Sequence, residues 1–159
     1  MPQGFLSSHQ IGLFGKLPMT GDFVSRGLPA GLRPVFDRWL TAKFTLQEQN
    51  SWPQSGYRGA FAWNDAVVCA LVMPSRDKLG RDFPLSVCFV VPPNSVSVAG
   101  IDQWCDAALP PVIKALGGIM SAEELMIQVR QIPLHQGAGG FPELPVIWSK
   151  TDVGPLSFG

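Results

Sequence analysis

Two nearly unbroken apolar runs, Ala66 to Met73 and Leu85 to Val91, constrain the fold most. Each has the length and β-branched content of a strand. Neither alternates strictly between apolar and polar residues, so both faces of each strand must be covered. A sheet with helices on both sides follows. Tyr57 to Trp63 is a further β-rich run, and Asn64-Asp65 between it and Ala66 is a tight-turn signal for an antiparallel hairpin. Ile11 to Phe14 reads as a short strand ending where Gly15, Pro18 and Gly21 impose turns.

Helices are expected at three places. From Pro34, which suits a first helical turn, Val35, Phe36, Trp39, Leu40 and Phe44 recur on one face. Ile101 to Leu116 places Trp104, Cys105, Ala108, Val112 and Leu116 inward, with a bend expected at Pro110-Pro111 and an end at Gly117-Gly118. Ser121-Ala122-Glu123-Glu124 is a capping-box pattern and starts a helix running to about Gln131. Val146-Ile147-Trp148 offers a last short strand. The whole is an α/β (α+β-like) single domain over 1–159, with a mainly antiparallel central sheet flanked by helices on both faces and residues 1–10 as a loose leader.

Composition bounds the function classes. With 46% hydrophobic residues the chain can build a substantial core, and its formal net charge of zero supplies no basic field to collect phosphates. Nucleic acid is therefore not an expected partner. Cys69, Cys88 and Cys105 are odd in number and lack CxxC spacing, which points to reduced core thiols. No stretch approaches the ~20 apolar residues that span a bilayer, so membrane insertion is not expected.

Only 15% of residues are charged, yet charges cluster in two glycine- and proline-punctuated turns attached to strands. Lys16, Asp22 and Arg26 belong to the first; Ser75, Arg76, Asp77, Lys78, Arg81 and Asp82 belong to the second. Such turns either pair their charges with one another or read a partner. Asp22 with Arg26 and Asp77 with Arg81 are candidate local pairs, Lys16 is expected to pair with Asp22 or be solvated, and Arg76 and Lys78 show no local partner. Trp52, between Ser51 and Pro53, adds an aromatic residue expected to be exposed for contact.

Gly12-x-Phe14-Gly15-Lys16-Leu17-Pro18-x-x-Gly21-Asp22-Phe23-Val24-x-Arg26-x-Leu28, then Asp37-Arg38-Trp39-Leu40, then Met73-Pro74-Ser75-x-Asp77-x-x-Gly80-Arg81-x-Phe83-Pro84-Leu85, resembles the TagF family of type VI secretion-associated proteins. The resemblance covers roughly residues 11 to 130 in three ordered blocks. It implies a cytoplasmic accessory protein of Gram-negative bacteria, without known catalysis, that represses assembly or firing of the secretion machine post-translationally. The implied partner is the forkhead-associated-domain scaffold of that system, with no cofactor. Family members usually continue past a tryptophan-containing strand, so the resemblance also implies a shortened C-terminal part.

Other chemistries fit less well. Gly15-Lys16 lacks the upstream glycine and the following hydroxyl of a phosphate loop, since Gln10 and Leu17 stand there. Ser75-Arg76-Asp77-Lys78 matches the S-x-x-K pattern of penicillin-recognising enzymes, but Gly80 and Pro84 oppose the helix that pattern needs. An anion sensor using Lys16, Arg76 and Arg81 is the other alternative. Cys105 with His135 gives no persuasive dyad, no metal-ligand spacing is present, and Asp102 with Asp106 reads as a solvated helix face.

Overall fold

A computed structural model describes residues 10–46, 51–135, 137 and 143–150. The elements run β1 (Gln10–Gly15), β2 (Val24–Arg26), α1 (Leu32–Phe44), β3 (Tyr57–Trp63), β4 (Ala66–Met73), β5 (Leu85–Val91), α2 (Val98–Leu116), α3 (Ala122–Arg130) and β6 (Val146–Ser149). The expected leader, 1–10, falls outside the described residues except for Gln10, which opens β1.

Among the described residues the strands form one six-stranded sheet in the order β2-β1-β5-β4-β3-β6, and every pairing is antiparallel. The two apolar runs β4 and β5 are its middle pair, registered Val67 opposite Val91 through Met73 opposite Leu85. Strand periodicity divides the core. Leu13, Cys69, Leu71, Val87 and Phe89 pack with Trp104, Cys105, Ala108, Leu125 and Val129 from α2 and α3. Phe14, Val68, Ala70, Val72 and Cys88 face the other way, against Phe36, Trp39, Leu40 and Phe44 of α1. Both faces are therefore covered, which is why β4 and β5 do not alternate with polar residues.

Local signals set the element ends. Pro34 lies in the first turn of α1, where a missing amide costs no helical bond. The Ser97 hydroxyl accepts from the Gly100 amide and starts α2 three residues before the expected Ile101. This helix continues through Pro110 and Pro111, and Gly117 caps it. The Ser121–Glu124 capping box starts α3 as expected. Gly59 in β3 is required by packing, because a Cβ there would lie 2.8 Å from the Trp39 indole.

Trp52 is corrected: it is half-buried rather than exposed. Its ring stacks on Phe44 at 5.7 Å and lies 5.1 Å from Tyr57, extending the aromatic layer under α1. Its polar neighbours point to exposure, yet a polar connection can still drop one large ring onto the core.

Candidate interaction site

The two charged turns leave the same end of the sheet because β1 and β5 are antiparallel neighbours, with Gly15 opposite Leu85. Gly15 has φ +140, and a Cβ on it would sit 2.1 Å from the Pro84 carbonyl, so only glycine permits this approach. The Ser75 hydroxyl donates to the Lys16 carbonyl at 2.7 Å, the Lys78 amide to the Thr20 carbonyl at 2.7 Å, and Arg81 Nη2 to the Gly21 carbonyl at 2.8 Å. Phe23 closes the seam, stacked on Phe14 at 5.7 Å and edge-on to Phe83 at 5.0 Å. The turns form one unit.

Asp77 holds that unit. Its side chain is fully buried. One carboxylate oxygen accepts from the Leu79 and Arg81 amides, both at 2.9 Å, and the other meets Arg81 Nε at 2.7 Å and Lys16 Nζ at 3.2 Å. Burial alone would raise the pKa of this carboxyl. The amide and side chain of Arg81, the Lys16 ammonium and the Leu79 amide outweigh burial and hold the pKa well below the usual carboxylate range.

The Asp77–Arg81 pair is as expected, but other pairings are corrected. Lys16 is buried against Asp77, with its ammonium 4.9 Å from the Phe23 ring centroid, and is neither solvated nor paired with Asp22. Asp22 caps the Phe23 amide at 2.7 Å. Arg26 reaches Glu123 at 2.8 Å and ties β2 to α3. Arg76, expected to lack a partner, meets Asp82 at 3.2 Å across the hairpin that carries the second turn. Backbone proximity within the first turn did not reveal the partners of Lys16 and Arg26, because they come from the second turn and from α3.

Two exposed apolar residues complete the surface. Leu17-Pro18-Met19-Thr20 and Asp77-Lys78-Leu79-Gly80 are both four-residue turns, closed by amide-to-carbonyl bonds of 3.1 and 3.0 Å. Met19 and Leu79 each occupy the third position, at the tip, and are 50% and 72% exposed. Each adjoins the Thr20–Lys78 bond that joins the turns. Lys78 is exposed, and its ammonium has no partner among the described residues. Sequence reasoning named the charges and missed Met19 and Leu79; the available signal was a large apolar residue following Pro18 in one turn and preceding Gly80 in the other.

The S-x-x-K geometry is not assembled. Residues 74–80 are not helical, and the Ser75 hydroxyl is engaged by the Lys16 carbonyl. Lys16, Arg76 and Arg81 each already meet a carboxylate, which leaves no ready anion cradle among them.

A second ionic cluster is built on β3, nearer the β6 edge of the sheet, and it corrects the solvated-face reading of Asp102 and Asp106. Arg58 of β3 is fully buried. Nη1 meets Asp102 at 2.8 Å and Nη2 meets Asp106 at 2.9 Å on successive turns of α2. Trp148 Nε1 donates to Asp102 at 2.9 Å, and Lys150 pairs with Asp106, so the cluster fastens β6 to the helix. Burial tends to lower the Arg58 pKa, but the neighbouring Cys105, Asp106 and Asp102 raise it on balance. Burial would raise the Asp106 pKa, yet the Lys150 and Arg58 donors lower it. The missed signal was an arginine within an apolar strand together with two aspartates at i, i+4.

Residues 12–132, which include both turns, match the family described as "TagF N-terminal domain, Type VI secretion system-associated". The chain belongs to the TagF N-terminal domain family. It is thus a type VI secretion-associated protein. Among solved structures, the chain is similar to PA0076 from Pseudomonas aeruginosa PAO1 at 27% identity and a TM-score of 0.63, over 90% of this chain and 73% of that one. Comparison with the curated proteins found no match. The TagF match spans Arg58, Asp102 and Asp106 and stops before Trp148 and Lys150, so the β6 fastening lies partly outside it. Among the described residues, no helix is long and apolar enough to cross a membrane, and no group of three or more His, Cys, Asp or Glu residues is placed to hold a metal.

Proposed function

We propose that this TagF-family chain is a non-enzymatic binding protein of the cytoplasm that restrains assembly or firing of the type VI secretion machine. It acts post-translationally, by holding the forkhead-associated-domain scaffold of the system away from the growing complex. The supporting observation is the surface of the fused turns. Met19 and Leu79 are held exposed at two tips, beside Lys78, whose ammonium has no partner among the described residues, on a backbone locked through Asp77. A rigid surface loses little conformational entropy on binding, so its exposed apolar side chains can contribute to affinity instead of to ordering the loop.

Candidate contacts are Lys78, Arg76, Asp82, Arg81 and Asp22 at the rim, while Lys16, Ser75 and Asp77 shape the turns from beneath. Arg26 and Trp52 lie in other packing environments and act as supports in this scheme. The net charge of zero favours protein over nucleic acid as the partner.

The test is co-purification from a bacterium carrying the secretion system, with the captured protein identified by mass spectrometry. The parent chain is compared with a Lys78→Glu/Leu79→Ser variant of matched melting temperature. Capture of the scaffold by the parent and its loss by the variant are expected. Failure of both to capture it sinks direct scaffold binding, and capture by both moves the contact away from the turns.

A further inference from the structure

The charges around the turn tips say what kind of segment the surface accepts. Apart from Arg26, which lies in β2 and pairs with Glu123, the two turns carry four cations, Lys16, Arg76, Lys78 and Arg81, against three carboxylates, Asp22, Asp77 and Asp82. Their accessibility is unequal. The Asp77 side chain is 0% exposed, whereas its partner Arg81 is 58% exposed, so the cation faces outward above a carboxylate that nothing outside can reach. Asp82 is paired with Arg76, while Asp22 is exposed and keeps its charge, one of its oxygens accepting from the Phe23 amide. Lys16 and Arg81 share the single Asp77 carboxylate and Lys78 has no carboxylate partner among the described residues, so four cations against three carboxylates leave a net charge of +1 on the turns that carry Met19 and Leu79.

We infer that the segment docking on the two turns is an acidic peptide carrying a large apolar side chain, which packs against Met19 and Leu79 while a carboxylate meets Lys78 and the exposed Arg81 strengthens the positive field around it. This rests on the binding function proposed above and adds the chemistry of the partner. The exposed carbons of Met19 and Leu79 supply an anchor, and the cations fix orientation and speed encounter. A lipid surface fits less well, because adhesion to anionic membranes takes a cluster of four or more basic residues, whereas Lys16, Arg76 and Arg81 are each paired with a carboxylate. The Lys78 amide bond to the Thr20 carbonyl, 2.7 Å, fixes the two turn tips relative to each other.

The test is selection of a random displayed peptide library on the immobilised intact chain, in parallel with a Lys78→Glu variant and a Leu79→Ser variant. Both positions are exposed, so melting curves matching the parent are expected. Sequences recovered on the parent should combine Asp or Glu with Leu, Met or Phe. A synthetic peptide of that kind should bind each variant at least about tenfold more weakly by fluorescence anisotropy, and its affinity for the parent should fall as salt rises. Selection on Lys78→Glu should turn toward basic sequences.

Recovery of apolar peptides without acidic enrichment, recovery of none, or equal binding by the variants overturns the inference. So does binding of the parent to phosphatidylserine vesicles with no acidic peptide recovered. Acidic peptides recovered while the scaffold is not captured would sink the scaffold reading alone. Scaffold capture without acidic selection would sink this inference alone.

Discussion

The Lys16 ammonium lies 3.2 Å from the buried carboxylate of Asp77, joining a turn after the first strand to a turn between the two central ones. The same carboxylate holds Arg81 and two amides, so one residue sets the shape of the whole surface. Taking one partner from a buried ionic group leaves the others uncompensated, which is why such a hub resists substitution even where a hydrophobic design would be as stable.

Asp77→Asn keeps the size of the side chain but places an amide donor against Lys16 or Arg81. The melting temperature should fall, and amide exchange should quicken at Leu79 and Arg81 ahead of β4 and β5. Unchanged exchange at those amides would show that Asp77 does not hold the turns.

Acid should weaken the parent more than that variant. The folded Asp77 pKa lies below its unfolded value, so its contribution is present above the unfolded pKa, about 4, and is lost as pH falls through the folded one. The Asp106 pKa is shifted the same way. Urea denaturation across about pH 7 to 2.5 should give a steeper loss for the parent than for Asp77→Asn. Parallel curves would remove Asp77 from the acid response.

Arg58→Met should leave Asp102 with the Trp148 indole and Asp106 with Lys150 as remaining partners, both carboxylates being about one third exposed at 29% and 36%. That partial exposure puts the cost at the low end of a broken buried pair, about 3 kcal/mol by urea denaturation. Adding Asp102→Asn and Asp106→Asn should recover part of the loss. If the triple variant is as unstable as the single one, packing rather than charge is what Arg58 supplies.

The three cysteines should be inert in the folded chain. Burial raises each thiol pKa, that of Cys88 to about 12, and keeps reagents away from Cys69, Cys88 and Cys105. An aromatic disulfide reagent at about pH 8 should label negligible thiol until denaturant is added. Rapid labelling of any one of them would show local opening of the core.

Much of the fold was legible because its signals are local. The unbroken apolar run Ala66–Met73 reports burial on both faces, Asn64-Asp65 reports a turn, and Ser121 with Glu124 reports a helix start, each through contacts within a few residues. The family blocks likewise located the two charged turns along the chain. The three-residue β2 was not legible, since Val24–Arg26 is too short to show a period and is a strand only because β1 lies beside it.

The sequence by itself determined the alternation of strands and helices, the double-sided burial of β4 and β5, and the concentration of charge in two turns. Only the tertiary structure decided which charges meet: Lys16 with Asp77, Arg76 with Asp82, Arg26 with Glu123, and Arg58 with Asp102 and Asp106. Most of these partners come from separate elements, and the order of strands in the sheet brings them together. Burial then selects among the possible pairings, because a charge removed from water must find its counterion within hydrogen-bond reach, whereas an exposed one need not.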